Sequence, residues 1–402
     1  MKKIAAFIAV LFISLMLIAP VSAYVERVGI PRLDEVIAEV ESDPDIATNR
    51  FLTGEFDFMP DMIRSQNIEK LQNKSHQILT TGGFHVCYAG INTRDYVPYD
   101  AGQPDANRSL APLNWTGFRQ ALGWAGLSIS QKESAIAEIY GPDVVVPAYT
   151  VIPEALGVWN NPNVTKLGGN YTRAEEALNA SGFTISGGLL YQPNGVVVRD
   201  TIEVLSPSEA PTSVEFCQRF VDQWNDFFDN HLGVTNCDLV NSAIPFNTEV
   251  VSAFLYRNFD LYWLCWGLSR FPDYLYDFFH SSQDFPWGYN SPGINNATLD
   301  AKIETVKWGL VYGDKLQAAY EAQEMLVEDL VPYIYFYHRN YFVGYRGSDL
   351  DTPSPRGSKL VNAINQDGFG ADNGWTWSLM HWNDSVTGGD VRYVWGAEFD
   401  NL

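Results

Sequence analysis

The sequence predicts an α/β protein whose sheets are covered by helices on both faces. Three observations point there. Strand-length apolar runs alternate with helix-length amphipathic segments along the chain. The helical segments are bracketed by polar start signals and glycine stops. Finally, 46 % apolar residues, with 14 % aromatics, is rich enough for packed cores.

The elements follow in order. Leu33 to Val40 reads as a strand, Asp43 before Pro44 as a helix start, Gly54 as its stop, and Phe56-Asp57-Phe58 as the next strand. Two capping boxes, Ser130 with Glu133 and Thr172 with Glu175, open helices that end at Gly141-Pro142 and Gly182. Pro193-Asn194-Gly195 lies between Leu189-Leu190-Tyr191 and Val196-Val197-Val198 and reads as a hairpin turn. From Ser213 to His231, Phe216, Phe220, Val221, Trp224, Phe227 and Phe228 recur at helical spacing. A strand near 234–240, a short helix and an apolar strand from Phe259 to Trp266 come next. Helices near 298–310 and 314–329 precede a strand pair, 333–338 and 341–345. No internal repeat or low-complexity tract interrupts the pattern.

Residues 1–23 read as a secretory signal peptide: Lys2-Lys3, an apolar core from Ile4 to Ile18, then Val21-Ser22-Ala23. The apolar run is short for a membrane span, though an uncleaved anchor is the other reading. No later stretch has the length of a span, so the expected product is exported and soluble. The formal net charge of −22 argues against nucleic acid and anionic lipid as partners. Four cysteines, Cys87, Cys217, Cys237 and Cys265, allow three pairings in an oxidising compartment. Cys87 and Cys265 sit in apolar runs, which suits buried free thiols. Eight Asn-x-Ser/Thr sequons occur, at Asn73, Asn107, Asn114, Asn163, Asn170, Asn179, Asn296 and Asn383, where chance predicts about three; the excess suits a glycosylated surface.

No GxSxG, HExxH, P-loop or paired CxxC is present, and six histidines fall at no ligand spacing. Gly368 to Gly374 is glycine-rich but lacks a strand before it and a helix after it, so it reads as a surface turn. Nothing in these motifs makes an enzyme, and the expectation is no catalysis, cofactor or metal.

Six segments, in order, carry a resemblance. They are "SDPDIATNRFLTGEFDF" (42–58), "FRQALGWAGLSISQKESAIAEIYG" (118–141), "NYTRAEEALNASGF" (170–183), "NFDLYWLCWGLSRFPDYLYDFFHS" (258–281), "YNSPGINNATLDAKIE" (289–304) and "AYEAQEMLVEDLVPYIYFYHRNYFVGYR" (319–346). Together they resemble the family 5 extracellular solute-binding proteins, the oligopeptide, dipeptide and nickel receptors of ABC importers. That resemblance implies a two-lobed, periplasmic-binding-protein-like (type II) fold. Lobe I would take 24–92 and 346–402, and lobe II 93–345. The family's usual first stretch, about 200 residues, has no counterpart here. The tail "TGGDVRYVWGAEFDNL" (387–402) instead resembles the strand with which members open. The expected chain is therefore truncated or circularly permuted, with 388–402 supplying lobe I's opening strand.

Peptide-binding members hold the ligand's ammonium with an acid after a Trp-Gly pair. Here the matching positions are Ser269 or Arg270, neither acidic, so capture of a free peptide amino terminus is in doubt. Arg270 suits a carboxylate or phosphate instead. The candidate ligand-binding set is Trp266, Ser269, Arg270, Asp273, Trp287, Tyr289 and Asn290, whose aromatic walls and polar tips suit a cleft. Expected partners are a peptide-like or other small solute and ABC permease subunits, with the protein a monomer. The other reading is a cell-surface glycoprotein that keeps the scaffold without transport.

Overall fold

The computed structural model describes residues 34–41, 43–60, 71, 76–98, 105–141, 144–346, 360–361, 381–382 and 390–396. The signal segment, the 368–374 turn, Asn73 and Asn383 lie outside them. The chain divides into two compact units. One comprises residues 1–63, 67–79 and 343–396, and the other 64–66, 80–342 and 397–402. Residues 80–92, assigned above to lobe I, thus belong to the larger unit. Residues 80–82 end one strand, His76–Gly82, and residues 85–91 form another that lies in the middle of that unit's sheet.

In the smaller unit, β1 (Glu35–Glu41) leads into α1 (Pro44–Thr53), then β2 (Phe58–Pro60). Asp43 caps α1 by accepting from the Asp45 and Ile46 amides, and Gly54 closes it with φ +89°, a conformation open to glycine. Arg50 on α1 ties the elements together. It bonds Glu39 at 2.7 Å and Glu55 at 2.8 Å and lies over the Phe56 ring. Ala47, Phe51, Phe56 and Met59 are fully buried beneath it. β14 (Asp390–Gly396) runs parallel to β1 through seven register pairs, Glu35 with Asp390 to Glu41 with Gly396. On its other side it pairs parallel with β2 at Tyr393–Phe58. Residues 343–345 pair antiparallel with β2. The last of the described strands therefore fills an interior slot between β1 and β2.

The larger unit is built on a second set of strands: β4 (His85–Ile91), β5 (Val145–Pro147), β8 (Thr201–Pro207), β9 (Asp238–Ile244), β10 (Leu261–Gly267) and the first part of β11 (Tyr333–Arg346). Their order is β9-β8-β10-β4-β11-β5. β8 runs parallel to both β9 and β10, and β4 runs antiparallel to both β10 and β11. Successive residues of a strand point to opposite faces. Cys87, Ala89 and Ile91 accordingly enter one core with Phe118, Phe216, Phe220 and Trp224, while Val86 and Tyr88 enter another with Phe254, Phe278, Leu299 and Leu326. Helices α2 (Thr116–Ala125), α3 (Ile129–Ile139), α4 (Tyr171–Ala180) and α5 (Pro211–Asp226) contribute to the first core. Helices α7 (Tyr274–Phe279), α8 (Ala297–Trp308) and α9 (Tyr312–Glu324) contribute to the second, and α6 (Phe246–Val250) precedes β10. The expected α/β layering is present.

Several details differ from expectation. The capping box is Ser128 with Gln131, not Ser130 with Glu133, and Asn170 caps α4 in place of Thr172. In both cases a side chain two residues earlier already satisfies the first free amides. The hairpin β6 (Thr184–Ser186) to β7 (Leu189–Tyr191) turns at Gly187-Gly188, both at positive φ, and the Pro193-Asn194-Gly195 turn makes only an isolated bridge, Tyr191 with Val197. β11 is one strand of 14 residues, not a pair; Arg339 and Asn340 lie within it, and Arg339 pairs in register with Val145. Cys87 and Cys265 are register partners on β4 and β10 and form a disulfide, whereas Cys217 and Cys237 are the buried free thiols.

Candidate functional site

The loop from Asp284 to Ser291 follows α7 in the larger unit and carries three large aromatic side chains into solvent. Phe285 is 49 % exposed, Trp287 53 % and Tyr289 44 %. Such rings in one short loop are the unusual observation, because exposed aromatics forgo the burial that stabilises them elsewhere. The loop is held from below by charged and polar groups, of which Arg257 is buried and Arg94 part-buried. Arg257 donates to the Phe285 carbonyl at 2.6 Å, to Gly288 at 2.9 Å and to Ala253 at 3.0 Å. Arg94 donates to the Ser291 carbonyl at 2.8 Å and to Asn92 Oδ1 at 2.9 Å, and pairs with Asp284. Burial, with the neighbouring Arg94 charge, pushes the Arg257 guanidinium down to about 10, still far above neutral pH, so it stays charged. The Phe285, Gly288 and Ser291 carbonyls of this turn each thereby have a charged donor.

The backbone is constrained as tightly. Trp287 adopts φ +68°, a left-handed conformation that bulky residues rarely enter, and its amide donates to the Phe254 carbonyl. A Cβ on Gly288 would lie 2.1 Å from the Gln283 carbonyl oxygen, so the turn admits only glycine there. The loop is thus a preformed aromatic shelf.

Of the sequence candidates, Trp266, Trp287, Tyr289 and Asn290 come together at this loop. The Trp266 ring meets Tyr289 edge-on at 5.1 Å and packs against Phe254 and Phe278. Its indole N–H donates to Tyr88 Oη at 2.9 Å, and Tyr88, Tyr262 and Ser291 continue that hydrogen-bonded chain back to the loop. Trp266 is therefore the wall behind Tyr289, only part-exposed. Asn290 departs from expectation. It is fully buried, donates to the His280 and Ile294 carbonyls, and accepts from the Gly293 and Ile294 amides. Its amide is spent on the loop itself, which leaves no group to offer a solute. Ser269, Arg270 and Asp273 form the turn after β10. Ser269 Oγ bonds Asp273 Oδ1 at 2.8 Å, and the Arg270 guanidinium lies 5.7 Å from the Phe84 ring centre. Sequence reasoning missed Phe285, Arg94 and Arg257. The run Asp-Phe-Pro-Trp-Gly-Tyr signals the first, but nothing in sequence signals the arginines.

A second concavity is lined by Lys132, Gly126, Tyr149, Tyr333 and Tyr335. At about 20 Å³ it has room for one water-sized molecule and is too small for a peptide or sugar. Lys132 donates to the Ala148 and Tyr335 carbonyls, and burial lowers its pKa to about 7. Its work is to satisfy strand carbonyls.

Residues 20–286 match the family model of the bacterial extracellular solute-binding proteins, family 5, middle region. The chain belongs to that family. No curated protein sequence matches it. Among solved structures it is similar to lactococcal OppA complexed with an endogenous peptide in the closed conformation (TM-score 0.59, 15 % identity, 84 % of this chain and 57 % of that one). It is also similar to the oligopeptide-binding protein AppA of Bacillus subtilis in complex with a nonapeptide (0.56, 19 %, 76 % and 54 %). A third is NikZ of Campylobacter jejuni in complex with Ni(L-His) (0.54, 18 %, 76 % and 55 %). These likenesses place the fold among the two-lobed type II binding proteins, as expected from sequence. The family 5 chain spans little more than half the length of each of these proteins.

Proposed function

We propose that this family 5 protein is the extracytoplasmic receptor of an ABC importer, and that it holds a peptide-like or other small solute against the aromatic shelf without catalysis. One observation carries the assignment to this surface: a buried arginine, a part-buried arginine and a buried asparagine hold a loop whose outward content is Phe285, Trp287 and Tyr289. Preorganisation of that kind lowers the ordering penalty of binding. Aromatic rings offer large, stiff, amphipathic contact area. Ser269 and Arg270 supply no acid, so the solute is fixed through its body and not through a free ammonium. Delivery to a permease follows from family membership.

The test is thermal melting of the purified protein against peptide, sugar and metal-chelate libraries. A solute present at 100 times its Kd stabilises the native state by about 2.7 kcal/mol, which raises the melting temperature. Trp287→Ala should abolish the shift for the same solute. A hit whose shift is unchanged in Trp287→Ala and Tyr289→Ala would move the binding surface elsewhere.

A further inference from the structure

We propose that Asn107 is an acceptor for an N-linked glycan, the sequon best presented among those the structure describes. An oligosaccharide transferase must reach two groups at once: the asparagine amide nitrogen and the hydroxyl two residues on. The other sequons among the described residues are each held or hindered in the folded chain. Asn114 Nδ2 is held by Asp95 Oδ1 at 2.8 Å. Asn170 and Asn296 are helix caps whose side-chain oxygens accept backbone amides, from Arg173 in one case and from Thr298 and Leu299 in the other, which pins each side chain to the start of its helix. Asn163 is exposed, but its partner hydroxyl, Thr165 Oγ1, is taken by Glu328. Asn179 sits in the last turn of α4, and its partner Ser181 packs its hydroxyl against Gly117 of α2.

Asn107-Arg108-Ser109 meets both requirements. Asn107 stands in an exposed turn at φ +64°, a left-handed conformation that asparagine tolerates. The turn is tied down without the Asn107 side chain: the Asn107 amide donates to Val97 O, the Val97 amide to Arg108 O, and the Arg108 amide to Asp105 O, while Asn258 Nδ2 donates to Asp105 Oδ2. Arg108 turns inward, its guanidinium 2.7 Å from Asp260 Oδ1. Its two neighbours, Asn107 and Ser109, are exposed, and Ser109 Oγ only accepts, weakly, from the Ala111 amide at 3.3 Å. The co-substrate is a lipid-linked oligosaccharide phosphate. Asn107 Nδ2 forms a bond to the sugar C1 as the C1–O bond breaks. The lipid phosphate leaves with the electron pair, and the amide proton passes to a base of the transferase.

The experiment is mass spectrometry of the proteolytic peptide ending in Asn107-Arg108, from full-length protein purified from its natural host. The expected result is a glycan mass on that peptide. Ser109→Ala, which leaves the Asn107 side chain in place, should remove it, while Asn163→Gln should leave it. Recovery of the peptide without glycan, whether other sequons are modified or none is, overturns the proposal. The wild-type measurement alone decides if either variant fails to fold.

Discussion

Breaking the Cys87–Cys265 bond should destabilise the larger unit substantially, and the size follows from where the bond lies. It joins register partners on adjacent central strands and closes a loop whose ends are 178 residues apart. On the chain-entropy account, a ring of that length removes about 5 kcal/mol of conformational freedom from the unfolded chain at 25 °C. Both sulfurs are buried, so reduced thiols would still pack as small apolar groups, and the loss falls almost wholly on the unfolded state. The assay is urea unfolding followed by tryptophan fluorescence, with and without reductant. With a slope between about 1 and 3 kcal/mol per molar urea, the midpoint should fall by roughly 2 to 5 M in the reduced protein. Cys87→Ala/Cys265→Ala should fall at least as far. Thiol titration of denatured, unreduced protein should find Cys217 and Cys237 alone. Coincident midpoints for oxidised and reduced protein would refute the reasoning.

Three other expectations rest on single residues. Glu249 is fully buried, and burial, reinforced by Glu209, holds its carboxyl well above the usual range. The folded state keeps a proton that the unfolded state releases, so stability falls as pH rises above 4.5, by about 1.4 kcal/mol per unit until the folded carboxyl ionises. Glu249→Gln should remove that one-proton slope in urea unfolding measured across pH. His338 is the opposite case: burial pushes it down to about 4, with Lys132 adding to the effect, and stability is lost as pH falls from 6.5 towards 4. The total is about 3 kcal/mol, and His338→Phe should flatten the acid limb by that amount, leaving the share of His85, which is likewise lowered to about 4. Trp287→Gly relieves a left-handed conformation worth about 1 kcal/mol, yet restores comparable freedom to the unfolded chain. Its melting temperature should match the wild type while solute binding is lost. A variant that melts normally and still binds would dissociate the loop from function.

The parts legible in sequence are those written in local periodicity. The stripe of Phe216, Phe220 and Trp224 declares α5, and Asp43-Pro44 with Gly54 brackets α1, because capping and amphipathicity act within one or two turns. Where two signals compete nearby, local reading misleads. The Pro193-Asn194-Gly195 turn outshone Gly187-Gly188, and the polar Arg339-Asn340 pair looked like a break in a strand that in fact runs through it. At the shelf, Trp287 and Tyr289 were legible as aromatics among polar neighbours. Asn290 was misread because polarity alone does not say whether an amide faces a solute or its own loop. Arg94 and Arg257 were invisible, since the loop contacts they make are to backbone carbonyls, which have no residue code, or to partners far along the chain: Arg94 reaches Asp284 across 190 positions and Ser291 across 197. The disulfide was missed for a related reason: apolar surroundings describe a buried thiol and a buried bridge equally well.

The position of β14 also orders events during biosynthesis. Residues 80–342 form an unbroken run and can collapse as soon as they emerge from the ribosome. β1 and β2, made earlier, must wait as an open pair of edges until the tail arrives to slide between them. Until then those edges are templates for any other strand, so a stalled ribosome or a clipped tail would leave a folded larger unit attached to an aggregation-prone smaller one.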